Sequence, residues 1–475
     1  MKLALGVKDR PSFGKLIVFA LQQLLAIMAA TIAVPMIVNG NVEGLNLSVS
    51  AALVGAGVGT FVYLLFTRFK SPVFLGSSFA FLGSMTAAFT GATTMALGYL
   101  GLIIGALLAG LVYVVIALVS KAVGTKWIDK LMPAVIIGPT VAIIGLSLAG
   151  NAVGDLKTAN AGGSSYVAII CGLVALAVTM LVSVYGKKFM KLIPFICGIC
   201  AGYVVALIFT VIGNVASIDA LKVIDFSSFQ KLVEGGVKFS TFIAVPDFTF
   251  LTAFGAFGQL SGAYIGTIAV AYIPVAFVVF AEHLADHKNL STIIGSDLTK
   301  DPGLDKTLLG DGIGSFAGAL FGGAPNTTYG ESIGCVAITG NASTVTIAAT
   351  AVIAALIAFI NPFVAFLGSI PKCVMGGVCI ALYGFIAVSG LKMIQKVNLE
   401  RNSNLFVVSV ILILGVGGFS ISFGKVTITT VACAIILGIL TNVMLQKGRK
   451  KEEEEATETE NENETAETAV ETEAE

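Results

Sequence analysis

The stretch APNTTYGESIG, residues 324–334, sets Asn326, Thr327, Thr328, Tyr329 and Glu331 side by side between two strongly apolar runs, with Gly330 and Gly334 loosening the backbone. A second polar group closes the apolar run AYIPVAFVVFAEHLADHKN (271–289), where Glu282, His283, Asp286 and His287 cluster. On a helix Glu282 and Asp286, four residues apart, share one face, and His283 with His287 forms a second pair turned by one residue. These are the only two histidines in the protein. Carboxylates accept hydrogen bonds, and the backbone N–H groups exposed where a helix is interrupted donate them. Together they suit a ligand with N–H donors beside C=O acceptors, such as the edge of a pyrimidine or purine base. An anion would be repelled by ionised Glu282 and Glu331, and a sodium ion has no use for the amides. Carboxyl groups away from water bind protons more readily, the more so in pairs, so Glu282, Asp286 and Glu331 are also candidates for proton coupling.

Other chemistries fit less well. Two histidines four apart bind zinc in HExxH helices, but here the glutamate precedes the first histidine and no third His or Cys ligand stands nearby. No nucleophile–base arrangement appears elsewhere, so neither a metal nor another cofactor is expected, and nor is an enzyme. A plain alternative holds for Asp286 and His287: the helix has reached water, where charges are ordinary. Glu282, directly after VAFVVFA, and Glu331, flanked by Tyr329 and IGCVAI, lie deeper, where a charge costs about 3 kcal/mol.

The elements that must position these groups are membrane spans. Of 475 residues, 56% are hydrophobic and 12% charged, against about a quarter charged in soluble domains. Apolar segments fall at 15–38, 49–67, 73–90, 96–120, 131–150, 164–185, 190–213, 265–286, 307–323, 325–339, 343–368, 372–393, 404–420 and 427–445. The fold class expected is therefore an all-α polytopic membrane protein of about 14 segments in a lipid bilayer. Basic residues recur after every second span: Lys2, Lys8, Arg10 and Lys15; Arg68 and Lys70; Lys121, Lys126 and Lys130; Lys187, Lys188 and Lys191; Lys392, Lys396 and Arg401; Lys447, Arg449, Lys450 and Lys451. The positive-inside rule then puts both termini in the cytoplasm. No signal peptide is apparent, because the first apolar run is of span length and lacks a small-residue cleavage site.

The zero net charge hides an asymmetry. From residue 452 the tail holds 12 glutamates and no base, which leaves 16 of the 28 acidic residues to face 28 basic ones in the body. So little apolar surface predicts a disordered, solvated tail. Residues 214–264 read as interfacial helices rather than a separate domain. Seven cysteines lie in or beside apolar segments; the Cys197–Cys200 CxxC has no βαβ context and reads as small helix-packing residues. GAGVGT (55–60) lies inside a span, where close helix packing is the reading, not a nucleotide loop.

Two segments are poor helices: SPVFLGSSFAFLGSM (71–85), with Pro72, Gly76, Ser77 and Ser78, and the opening stretch, with Pro325 and three consecutive polar residues. They are the third of the first seven spans and the third of the last seven. Interrupted segments in matching positions point to an inverted-repeat transporter with its site at the midplane, because broken backbone at that depth must line a protein-buried cavity.

Five motifs in order, GSSFAF (76–81), AEH (281–283), DPGL (301–304), GAPNTTYGESIG (323–334) and VMGGVCIALYG (374–384), resemble those of the nucleobase–ascorbate transporters, or nucleobase:cation symporters, over about residues 5 to 445. NTTYGE is similar to the uracil permease branch. The resemblance implies a 7+7 inverted repeat, with broken segments 3 and 10, divided into a core domain and a gate domain. Core parts would be 1–120 and 246–368, gate parts 121–245 and 369–446, and 447–475 the acidic cytoplasmic tail. It further implies a homodimer through the gate, a plasma (inner) membrane location, and import of uracil with protons by alternating access. A xanthine or broader nucleobase carrier is the alternative, a passive anion channel the reading from another class, and nucleic acid is not an expected partner. Carried over residue by residue, Glu282 and Glu331 would accept from the uracil ring nitrogens. The backbone amides of Phe79 and Gly330 would donate to its carbonyl oxygens, while Ala30, Tyr329 and, from the gate, Tyr383 would pack around the ring. The chain departs from the family where Asp286 stands at a position that is histidine in some uracil carriers. Further departures are Gln23 at a frequent histidine position, Ser332 in place of asparagine, and Gly340 in place of a basic residue.

Overall fold

The computed structural model describes residues 3–124, 127, 133–187, 190, 191, 193–423, 426–446 and 448. The acidic tail and the basic residues Lys2, Lys126, Lys130, Lys188, Lys447, Arg449, Lys450 and Lys451 lie outside the described residues. The first half runs α1 (Phe13–Asn41), α2 (Val49–Phe66), β1 (Leu75–Ser77), a 3₁₀ turn (Phe79–Phe81), α3 (Leu82–Thr90), α4 (Met95–Val123), α5 (Ala134–Ser147), α6 (Ala149–Leu156), α7 (Ser165–Tyr185) and α8 (Pro194–Val215). Short helical pieces occupy much of 219–259. The second half runs α9 (Gly262–Ile294), α10 (Leu304–Gly322), β2 (Asn326–Thr328), α11 (Gly330–Thr339), α12 (Thr344–Ile357), α13 (Asn361–Ser369), α14 (Lys372–Ile394), α15 (Asn402–Val416), a β3–β4 hairpin (Ile421–Phe423, Val426–Ile428) and α16 (Thr430–Met444). Among the described residues eight helices, with α5 and α6 taken together as Ala134–Leu156, are long and apolar enough to cross a bilayer, and shorter apolar helices accompany them.

The order of long helix, helix, strand, short helix and helix occurs once in each half, and the two strands meet. β1 and β2 pair antiparallel, Leu75 against Thr328, Gly76 against Thr327 and Ser77 against Asn326. The reason is polar accounting: interrupted backbone among apolar helices must find partners inside the protein. Beyond the strand pairing, Ser78 N–H donates to the Pro325 carbonyl at 2.9 Å and Tyr329 N–H to Phe74 at 3.3 Å. Thr60 of α2 donates through Oγ1 to the Leu75 carbonyl and accepts from the Leu75 N–H, at 3.1 and 2.9 Å. Asn326 Nδ2 donates to the Gly55 carbonyl at 2.8 Å, and Tyr329 OH to the Ser77 carbonyl at 2.8 Å. Gly76 faces the Tyr329 ring so closely that a Cβ there would overlap it.

Packing sorts the helices into two groups. In one, α2 lies against α10 and α12, α4 against α9 and α10, and α1 against α12. Gly55 abuts the backbone of Gly318 and Gly322, Gly57 that of Ala351, and Gly59 that of Gly314, so GAGVGT serves close helix packing as its small residues predict. In the other group α14 packs on α5, α6 and α7, α15 on α5 and α16, and α7 on α8. The groups meet where α9 touches α5 and α16 and where α1 touches α8 and α14. Cys197 is half-buried and Cys200 exposed on α8, so Cys200 does not pack between helices as its motif suggested. Between α9 and α10 the DPGL loop is tied to the end of α2: Lys70 Nζ lies 2.6 Å from Asp301 Oδ1, and that ammonium holds the exposed Asp301 carboxyl below the usual carboxylate range.

Candidate substrate site

Glu282, Asp286 and Glu331 line one cavity of about 380 Å³, within the range of small-molecule sites. Helix α9 supplies the first two from one face, one turn apart, as their spacing predicts. The adjacent face of the helix, turned by one residue, buries His283 and His287 completely. Helix α11 supplies Glu331 in its first turn, directly after the break. Both glutamates and Asp286 are half-buried, held between protein walls and not in bulk solvent.

The starts of the two interrupted segments border the same space, represented by Ser78, Phe79 and Ala80 on one side and Tyr329, Gly330 and Glu331 on the other. Neither start carries a side-chain cap: Ser78 and Tyr329, the residues before each, make no capping hydrogen bond. First-turn N–H groups of a helix have no partner within the helix. The cavity is thus edged by donors at two helix starts and acceptors on three carboxyl groups. Thr328 Oγ1 donates to Asp286 Oδ2 at 2.7 Å, fixing that carboxylate beside the break. Gln23 Nε2 of α1 donates to Ser332 Oγ at 2.7 Å, and the same hydroxyl accepts from Phe74 N–H at 3.1 Å, which ties α1 to both interruptions.

Ala30 and Tyr383 are buried but do not line this cavity. Tyr383 packs edge-on against Phe79 with ring centroids 5.9 Å apart. The second wall comes from Leu382, Phe385, Ile386, Ser389 and Met393 of α14, with Val141 and Ile144 of α5 and Phe195 of α8. Sequence reasoning passed over these because an apolar residue facing a cavity reads the same as one facing lipid. A second cavity of about 630 Å³ opens beyond them, reached by Ala33 on α1 and by Met375 and Cys379 on α14. On α1 Ala26 borders the first cavity and Ala33 the second, so Ala30 sits between the two, whereas Tyr383 follows Leu382 on α14 and borders neither. Asp311 was also missed; its signal was a lone aspartate in the glycine-rich apolar run LLGDGIGSFAG.

Paired interrupted segments crossing at the centre of a helical membrane protein, with carboxylates facing their starts, define a multi-pass membrane carrier. The description "Permease family" matches residues 14–423, and the chain belongs to that family, the nucleobase–ascorbate transporters. It is a permease, not an enzyme. It is 36% identical over 460 residues to the uracil permease of Bacillus subtilis (strain 168), covering 95% of this chain and 97% of that one. It is 38% identical over 447 residues to the uracil permease of Bacillus caldolyticus, covering 94% and 95%. A putative pyrimidine permease, RutG, of Escherichia coli (strain K12) is 31% identical, covering 92% of this chain and 91% of its own. In fold, the chain resembles the transmembrane domain of the cyanobacterial bicarbonate transporter BicA, with TM-score 0.59 at 14% identity, covering 92% of this chain and all of that one. It also resembles the murine anion transporter Slc26a9 in its inward-facing state, with TM-score 0.61 at 13% identity, covering 93% and 69%. These likenesses bear out the expected all-α, multi-pass fold built from two inverted halves.

Proposed function

We propose that the protein is a proton-coupled symporter that imports uracil across the plasma membrane, both termini cytoplasmic, by alternating access. The observation that carries this reading is the shared cavity: Glu282 and Glu331 face the uncapped starts of two interrupted segments across about 380 Å³. A uracil ring offers two N–H donors and two carbonyl acceptors, and the site offers the complement. Glu282 and Glu331 accept from the ring nitrogens, the amides of Phe79 and Gly330 donate to the carbonyl oxygens, and Tyr329 flanks the ring. Ala30 and, from the gate side, Tyr383, which packs on Phe79, complete the packing around the ring from just behind the lining. Asp286, bonded to Thr328, joins the two glutamates in holding the coupled proton.

The core then comprises residues 1–120 and 246–368 and the gate 121–245 and 369–446, with dimer contacts through the gate. Movement of the core against the gate exposes the site to one cavity or the other in turn. Names of relatives similar to this chain over more than nine-tenths of their length support uracil as the base. The test is uptake of radiolabelled uracil by reconstituted protein, with and without a protonophore and against a panel of competing bases. Glu331→Ala is expected to abolish uptake and binding, since a ring N–H left without its acceptor costs about 1–3 kcal/mol and the lost charge adds to it. Wild-type uptake by that variant would overturn the site, and stronger competition by xanthine than by uracil would overturn the choice of base.

A further inference from the structure

A third cavity, of about 370 Å³, lies in the seam between the two helix groups and has no part in the binding scheme above. Thr86 and Thr90 of α3 wall one side; Ile144 and Ser147 of α5, with Thr429 and Thr430 where the hairpin meets α16, wall the other. Helix α3 packs on α4 and α9 of the first group, and α5 belongs to the second. Asn41 at the end of α1 and Asn151 on α6 frame the mouth, with Asn151 Nδ2 3.4 Å from Asn41 Oδ1 across the seam. The substrate cavity extends the other way, to Lys191, Ile338 and Met393. Lys191 is among the basic residues that the proposed topology puts in the cytoplasm, so the third cavity opens outside. Phe79, Ala80 and Ile144 border both, whereas the 630 Å³ cavity shares no lining residue with the substrate cavity. A single layer of residues therefore parts the third cavity from the site. Because that layer joins the two helix groups, a shift of one against the other opens it.

The lining decides what such a cavity can hold. Among the described residues no charged side chain borders it. Thr86 Oγ1 donates to the Leu82 carbonyl at 3.0 Å, Thr90 Oγ1 to Ala87 at 3.3 Å and Ser147 Oγ to Ile144 at 3.1 Å. Each spends its single hydrogen inside its own helix, so its oxygen is left to accept. Thr429 does the reverse: its Oγ1 accepts from the Ala432 N–H at 3.4 Å and keeps its hydrogen to donate. The Asn41 amide adds a second donor at the mouth. Leu82, Leu148 and Val431 supply apolar surface between these polar atoms. An ion would find no counter-charge there. A flat, uncharged ring with N–H groups beside carbonyls finds acceptors, donors and an apolar bed, in a volume within the range of small-molecule sites.

We propose that this cavity is a second, outer subsite for the uncharged base, where uracil docks before a shift of core against gate passes it to Glu282 and Glu331. Its hydrogen bonds are between neutral groups, about half as strong as those a carboxylate makes. The outer subsite is therefore the weaker of the two, and a docked base moves inward without being trapped. This rests on the uracil-carrier reading above and adds a station to it.

The test uses full-length protein in right-side-out membrane vesicles, with the inner site disabled by Glu331→Ala. Ser147→Cys is added, and its labelling by a membrane-impermeant maleimide applied outside is followed against the same protein without the added cysteine. Uracil is expected to slow this labelling about threefold or more although binding at the inner site is lost. The concentrations needed should lie roughly tenfold or more above those that fill the inner site of the wild type. Ribose, which lacks both the flat ring and the N–H groups, is expected to leave the labelling unchanged. Adding Thr86→Val, which removes one acceptor oxygen and keeps the shape, should raise the half-protecting uracil concentration severalfold. Absence of protection in a variant of normal thermal stability would overturn the proposal. So would a Ser147→Cys thiol that the reagent never reaches, or protection that ribose matches. Should Ser147→Cys misfold, Thr430→Cys takes its place with the same outcomes. Uracil uptake that survives Glu331→Ala would instead sink the inner-site reading, and is read without any added cysteine.

Discussion

Asp286 and Glu282 share a helix face and a cavity yet occupy different surroundings. The Asp286 carboxylate is already engaged by the Thr328 hydroxyl at 2.7 Å. An asparagine there still offers an oxygen to Thr328, so Asp286→Asn is expected to keep uracil affinity within about threefold. Its effect should fall on proton-driven accumulation, because the amide cannot titrate; a calorimetric binding curve and a gradient-driven uptake curve on the same sample separate the two. At this scale the sequence was most legible for charged groups, since a carboxylate in an apolar run needs a reason wherever it sits. It was least legible for partners. The His283–Asp311 bond joins residues 28 apart through a helix–helix contact, and the Gln23–Ser332 bond spans 309 positions. Nothing local announces either.

The interrupted segments behave as one element although they lie some 250 residues apart. Proline, glycine and serine runs showed where each helix breaks, because those residues favour turns over continuous helix. Their antiparallel pairing, and the clamp of Thr60 on both polar groups of Leu75, required the fold. Asn326 shows what the crossing depends on: its Nδ2 satisfies the Gly55 carbonyl at 2.8 Å in a fully buried setting. Asn326→Ala leaves that carbonyl unpaired and is expected to cost about 1–3 kcal/mol, read as a lower melting temperature of detergent-solubilised protein. Asn326→Asp should do no better, since a carboxylate oxygen cannot donate to a carbonyl. The break in the fifth span, between α5 and α6, went unseen because nothing in TVAIIGLSLAGNAVG marks it more strongly than the glycines elsewhere.

For the molecule as a whole, the contact between the two helix groups beside the substrate cavity bears most on transport. Phe79 stands at the start of the first interrupted segment and lines the substrate cavity, and Tyr383 on α14 of the other helix group packs edge-on against it. Tyr383→Leu keeps an apolar side chain but shortens it, and is expected to let preloaded uracil leak from proteoliposomes severalfold faster than wild type with no gradient applied. An unchanged leak would leave the Tyr383–Phe79 contact without a part in holding the base. The order of segments and the inverted halves could be read from hydropathy and from the matching positions of the breaks. Which helices assemble with which could not, because lipid-facing and helix-facing apolar residues are chemically alike.

The pairing of Leu75 with Thr328 also constrains how the chain is made. When a ribosome has delivered the first four spans into the bilayer, the strand after Lys70 still lacks its complement. At about 5–20 residues per second, the second strand emerges roughly 12–50 seconds after the first. Over that interval the nascent amino-terminal half has unpaired peptide groups at its centre, so it must wait, shielded by the insertion machinery or by its own neighbours, for the half that completes it.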